Sequence, residues 1–183
     1  IFLEIPSKSM FHFAPINILI PNQEWYYKTW IEYLDDFDFI LTKTKHGYDI
    51  FRNLVEDKNK VIYLGWKSKD MYDSNIQKSY KECLHVCGGS FYKNTQNLIN
   101  NWSSDLPNLT VVYNPNKKIK LIEKDAKNIN YIKEMLEEDE LVKLMNQIGI
   151  HICCSETEGF GHYIQEAKSC KSVVLTTNGG PMI

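Results

Sequence analysis

At 183 residues the chain has room for one ordinary domain or for parts of two. Hydrophobic residues make up 43%, with eleven Tyr, eight Phe and four Trp, which is enough for a core and excludes disorder over most of the length. Twenty-one Lys and Arg against 23 Asp and Glu give a formal net charge of -2, neither half is strongly basic, and nothing points to a nucleic-acid surface.

Short apolar runs alternate with segments of helical period. Ile1 to Ile5 and Ile16 to Ile20 read as strands, and Glu24 to Leu34 as a helix with Trp30 and Leu34 four residues apart. Phe37 to Leu41 reads as a strand, Gly47 to Val55 as a helix and Val61 to Leu64 as a short strand. The polar stretch that starts at Gly65-Trp66 and runs to Lys81 is the natural place for a linker or hinge. After it, Glu82 to Val86 is a strand that empties into Gly88-Gly89, Thr95 to Trp102 a helix, and Leu109 to Tyr113 a strand. The basic run Asn116-Lys117-Lys118-Ile119-Lys120 lacks interleaved aromatics and reads as a solvated loop. Asn130 to Ile132 is a short strand. In Glu138 to Ile148, Leu141, Leu144, Met145 and Ile148 recur at helical spacing, and Gly149 to Cys153 is a strand. His162 to Cys170 is a helix and Val173 to Thr176 the last strand.

This alternation implies α/β units with parallel sheets and helices on their faces. Continuous apolar runs such as Ile148 to Cys154 suit strands covered on both sides. The domain reading is 1–65 for a first unit, 66–81 for the linker and 82–183 for a second unit. No stretch reaches the roughly 20 apolar residues of a membrane span, and Ile1 to Pro6 lack the basic start and cleavage site of a secretory signal. Five cysteines, an odd count without such a signal, suggest reduced thiols and a cytoplasmic setting. Cys83-Leu84-His85-Val86-Cys87 has metal-binding residue types, but no second ligand pair follows at finger spacing, so it reads as a core strand.

Chemistry concentrates in Ser155-Glu156-Thr157-Glu158-Gly159-Phe160-Gly161-His162-Tyr163-Ile164-Gln165-Glu166-Ala167. The segment leaves a buried strand and opens a helix, where ligands bind in open α/β sheets. Amide groups at a helix start favour an anion, and Gly159 and Gly161 let the backbone approach one closely. A carboxylate such as Glu166, about a turn into the helix, can accept two hydrogen bonds from a ribose diol. The bland alternative is a capping loop, in which Ser155 or Thr157 caps the helix and both glutamates are solvated. The dinucleotide fingerprint G-x-G-x-x-G is absent, which disfavours a hydride-transfer enzyme.

Seven residues lie between Glu158 and Glu166, with Gly159-Phe160-Gly161 after the first, Ala167 after the second, then a strand, then Asn178-Gly179-Gly180-Pro181. This order resembles the E-x7-E signature of retaining GT-B glycosyltransferases, the group 1 or family 4 type. Gly88-Gly89-Ser90-Phe91-Tyr92-Lys93 similarly resembles the family's Gly-rich loop, although the family's Arg after the Gly is replaced here by Gly89 or Ser90. The resemblance covers residues 82 to 183 well and 1 to 65 more loosely.

It implies a GT-B fold of two Rossmann-like domains, with this chain a fragment of a longer protein. It also implies transfer of a sugar from a nucleotide-diphosphate sugar to a hydroxyl on a glycan, lipid or other acceptor, with retention, no metal ion and no cofactor beyond the donor substrate. Glu158 is then the catalytic carboxylate. Gly89, Ser90, Lys93, Phe160, Gly161, His162, Tyr163, Glu166, Asn178, Gly179 and Gly180 bind the donor, and Tyr131 and Ile132 lie near the base. Two alternatives stand beside it: a catalytically silent nucleotide-sugar-binding domain, and a sugar-nucleotide epimerase of the GT-B fold.

Overall fold

The computed structural model describes residues 1–116 and 120–182, so Lys117, Lys118 and Ile119 of the basic run lie outside the described residues. The chain divides into two compact units, Ile1–Lys67 with Glu158–Phe160, and Ser68–Thr157 with Gly161–Ile183.

The first unit carries a four-stranded sheet, β1 (Phe2–Leu3), β2 (Ile18–Ile20), β3 (Phe39–Thr42) and β4 (Val61–Tyr63), in that order and parallel throughout. Its core gathers Leu19, Leu34, Phe37, Ile40 and Phe51. Helix α1 (Lys45–Arg52) starts at Thr44, whose side chain accepts from Gly47 N–H and so takes up one of the orphan amides of the first turn.

The helix expected over Glu24 to Leu34 is instead two 3-10 segments, Gln23–Trp25 and Lys28–Asp36. Tyr26 Oη donates to the Trp30 carbonyl at 3.1 Å, occupying an acceptor that an α-helix would use for Leu34 N–H. The Trp30 ring also packs edge-on to Tyr26 and Tyr27. Bulky Thr29, Trp30, Ile31 and Tyr33 are modest helix formers, so tertiary packing prevails over the spacing.

The second unit is a five-stranded parallel sheet in the order β7-β6-β5-β8-β9, built from β5 (Ser79–Val86), β6 (Asn108–Val112), β7 (Ile129–Ile132), β8 (Ile148–Cys153) and β9 (Val173–Thr176). Alternate residues serve opposite faces, as strand geometry requires. Cys83, Cys87, Leu109 and Val111 pack with Ile99 and Trp102 of α2 (Thr95–Asn101) and its C-cap. Leu84, Val112 and Cys153 pack on the other face with Met145 of α3 (Glu138–Gln147) and Ile164 and Ala167 of α4 (His162–Ser169). A fully buried side chain of this size contributes roughly 1.5–3 kcal/mol relative to exposure.

Residues 68 to 78, read from sequence as part of the linker, run along this unit. Met71 is buried in its core, Met71 N–H donates to Ser169 Oγ at 2.9 Å, and Asn146 Nδ2 donates to Met71 O at 2.7 Å. The strand that sequence placed from Glu82 begins at Ser79.

Candidate functional site

In the second sheet, chain order runs outward from β5 through β6 to β7 on one side, and through β8 to β9 on the other. The carboxyl ends of β5 and β8 therefore flank a topological switch point, where open α/β sheets hold their ligands. The loops that leave these two strands are the two segments singled out in the sequence.

After β5, Cys87 N–H donates to Val112 O at 2.9 Å, and Gly88 then turns at φ 60°, in the left-handed region that favours glycine. A short 3-10 turn, Phe91–Lys93, delivers Lys93. After β8, Ser155 is buried, and its Oγ lies 2.5 Å from the Tyr163 hydroxyl. Gly161 precedes α4 at φ 80° and ψ 55°, so the helix starts directly from the loop that leaves β8.

The two loops are fastened together. Glu156 N–H donates to Tyr92 O at 2.8 Å, and Cys154 Sγ to Lys93 O at 3.5 Å. Lys93 Nζ stands 3.0 Å from the centroid of the Tyr163 ring. His162 Nδ1 pairs with Ser68 Oγ at 2.8 Å. Glu166, half-buried a turn into α4, lines a small cavity with Tyr163, Val86 and Cys153. Asn178, Gly179 and Gly180 follow the carboxyl end of β9, and Gly179 N–H donates to Thr177 O at 3.0 Å. The second unit thus gathers Gly89, Ser90, Lys93, Gly161, His162, Tyr163 and Glu166 on loops and a helix start at the carboxyl edge of one sheet, with Asn178 to Gly180 on the neighbouring strand end.

Glu158, Gly159 and Phe160 belong with the first unit. There the Gln23 side-chain amide donates to the Glu158 and Gly159 carbonyls at 2.9 and 3.0 Å. Gly159 is buried, and a Cβ on it would run into the side chains of Asn22 and Glu24. Burial raises the Glu24 carboxyl above its ordinary range, and the charge of Glu158 adds to the effect.

Beneath the Gly88-Gly89 loop sits His85, fully buried. Its Nδ1–H donates to Ile152 O and its Nε2 meets Thr95 Oγ1, both at 2.8 Å. Burial, with Lys93 adding to it, pushes this imidazole down to about 4 against the Ile152 carbonyl, which favours the charged form. Both ring nitrogens are therefore engaged in holding β8 to α2. Cys83 and Cys87 lie in the core on the same side, and the described residues contain no group of three His, Cys, Asp or Glu able to hold a metal ion.

Tyr131 and Ile132 end β7. The Tyr131 hydroxyl accepts from Lys124 N–H at 3.0 Å, and its ring packs edge-on to Tyr113. A cavity of about 200 Å³ opens just beyond them, lined by Val86, Gly88, Gly89, Val112 to Asn114 and Glu134 to Leu136. Sequence reasoning singled out Gly88 and Gly89 of this lining and missed the rest. Val112 looks like any core residue, and Glu134-Met135-Leu136 carries no motif.

Two parallel-sheet α/β units, one ending in a Gly-rich loop beside a helix start with a carboxylate on it, define a GT-B-type fold. The family profile described as glycosyl transferases group 1 matches residues 66–183. The chain belongs to that family. No curated protein matched by sequence.

Among solved structures, the chain is similar to TarM (TM-score 0.67, 13% identity, 94% of this chain and 39% of that one). It is similar also to sucrose-phosphate synthase (tll1590) from Thermosynechococcus elongatus (0.66, 12%, 89% and 50%). A third is the pneumococcal O-GlcNAc transferase GtfA in complex with UDP and GlcNAc (0.62, 11%, 92% and 39%). At these identities the likeness concerns the fold, and the chain spans half or less of the length of each. Among the described residues no helix is long and apolar enough to cross a membrane.

Proposed function

We propose that the second unit binds a nucleotide-diphosphate sugar, and that the protein transfers the sugar to an acceptor hydroxyl with retention and without a metal ion. The observation that carries this is the pairing at the switch point: the Gly88-Gly89 loop with Lys93 on one side, and the start of α4 with Glu166 on the other. Lys93 and the amides near Gly161 and His162 face the charge that grows on the diphosphate as it leaves, and preorganised groups there lower the barrier. The acceptor oxygen bonds to the anomeric carbon as the bond to the diphosphate breaks. The bonding pair departs with the diphosphate and the hydroxyl proton is released. Glu158 orients the sugar's hydroxyls and offsets positive charge near the anomeric carbon, and Glu166 accepts from the ribose diol.

The cavity beside Val112 and Leu136 has the apolar walls a base requires and opens from the same Gly-rich loop. Gly89 and Ser90 stand where the family commonly has Arg, which leaves Lys93 as the charged partner from that loop. This departure favours, as a second reading, a domain that binds the donor without transferring the sugar.

A thermal-shift panel of nucleotide sugars on the intact protein, UDP-GlcNAc among them, tests donor binding. A ligand present at a hundred times its Kd stabilises the fold by about 2.7 kcal/mol, or roughly 5–10 °C at this size. Glu166→Ala should weaken binding of the best donor about 10- to 100-fold in titration calorimetry, and unchanged affinity would remove Glu166 from the site. Release of nucleoside diphosphate only when acceptor is present separates transfer from epimerisation and from silent binding.

A further inference from the structure

A second, larger cavity of about 650 Å³ adjoins the donor loop in the same unit. It begins at Ser90 and passes between the start of α2 and the segment at Ile122. Its character differs from that of the base cavity. Phe91 and Ile122 are each 77% exposed, unusual for side chains of that size. The lining also includes Asn94, Asn97, the ammonium of Lys120 and the exposed carboxylate of Glu156.

The walls are preformed. Gln96 on α2 clips the far side in place, its Oε1 accepting from Ile122 N–H at 2.8 Å and its Nε2 donating to Ile122 O at 2.9 Å. Asn97 Nδ2 donates to Asn94 Oδ1 at 2.6 Å, and Glu156 is anchored through its backbone to Tyr92. A groove held in this way loses little freedom when it is filled.

We infer that this groove is a carbohydrate subsite that takes an oligosaccharide, the glycan on the acceptor side of the reaction. A pyranose ring has an apolar C–H face and a rim of hydroxyls that both donate and accept. Phe91 and Ile122 suit the face, and the amides and Glu156 suit the rim. The volume lies within the range of ligand sites, and Ser90 is common to the groove and the donor loop, so a bound saccharide ends beside the diphosphate. Naming the saccharide as acceptor rests on the transferase reading. The groove's affinity for saccharide does not.

The test is a glycan array probed with the intact protein and carrying defined neutral and acidic oligosaccharides, chitotetraose and maltotetraose among them. The strongest binder is then titrated against the wild type, Phe91→Ala and Glu156→Gln, with UDP titrated in parallel. Both side chains are exposed, so neither change threatens folding. The expected result is saccharide binding that weakens at least about tenfold in each variant, with UDP affinity unchanged. An array without binders, or a binder indifferent to both substitutions, overturns the inference. If UDP fails to bind while the saccharide binds and is lost in the variants, the groove stands and the donor reading falls.

Discussion

Replacing His85 with glutamine should remove a large part of the protein's sensitivity to acid. Unfolded, this histidine takes up a proton near 6.5, whereas in the folded chain burial pushes it down to about 4. Between those values the unfolded chain holds more protons, so stability falls as pH falls. The contribution is complete above about 6.5 and is lost progressively down to about 4. The gap of 6.5 - 4, at 1.36 kcal/mol per pH unit, is about 3 kcal/mol. Glutamine can still donate to Ile152 O and accept from Thr95 Oγ1, but it does not titrate. Urea denaturation of both proteins at several pH values between 4 and 7 isolates the term, because the carboxylates common to both cancel in the difference. The stability of wild type minus that of His85→Gln should drop by about 3 kcal/mol from pH 7 to pH 4. A difference that stays flat over that range would refute the assignment of a neutral, buried imidazole between β8 and α2.

Lys93→Ala should reduce kcat roughly a hundredfold, the usual loss for one group that stabilises developing negative charge. It should cost only about 0.5–1 kcal/mol of stability from the lost contact with Tyr163, and parallel losses in kcat and in denaturation midpoint would mark a structural lysine instead. Gly161→Ala should destabilise the protein by about 1–2 kcal/mol, because the position sits at φ 80°, and an unchanged melting temperature would contradict that backbone geometry.

Much of the second unit was legible in the sequence because its strands are short, apolar and bounded by turn residues. Leu109 to Tyr113 and Val173 to Thr176 match β6 and β9 to within a residue or two. Leu141, Leu144 and Met145 gave α3 by spacing alone, whereas Ile148, counted with them, is extended and opens β8. The start of β5 was hidden because Ser79, Tyr80 and Lys81 are exposed and show no apolar pattern. The Lys8–Phe13 3-10 segment buries no residue and left no periodic mark. At the candidate site, sequence gave the residue types and their order. It did not give pairings across distance, such as Ser68 with His162 or Lys93 with Tyr163, because nothing local records what a fold brings together. Nor did it give the cavity at Glu134 to Leu136, whose residues resemble ordinary loop and core.

The central position of β5 shapes how the chain must be made. Its partner β6 follows closely, but β8 on its other edge is complete only at Cys153, 153 - 112 = 41 residues after β6 ends. At about 5–20 residues per second, a ribosome leaves that inner edge unpaired for roughly 2–8 s. During this interval the backbone N–H and C=O groups along that edge of β5 lack their partner strand. Nascent chains caught before β8 emerges are therefore the form most exposed to edge-to-edge aggregation.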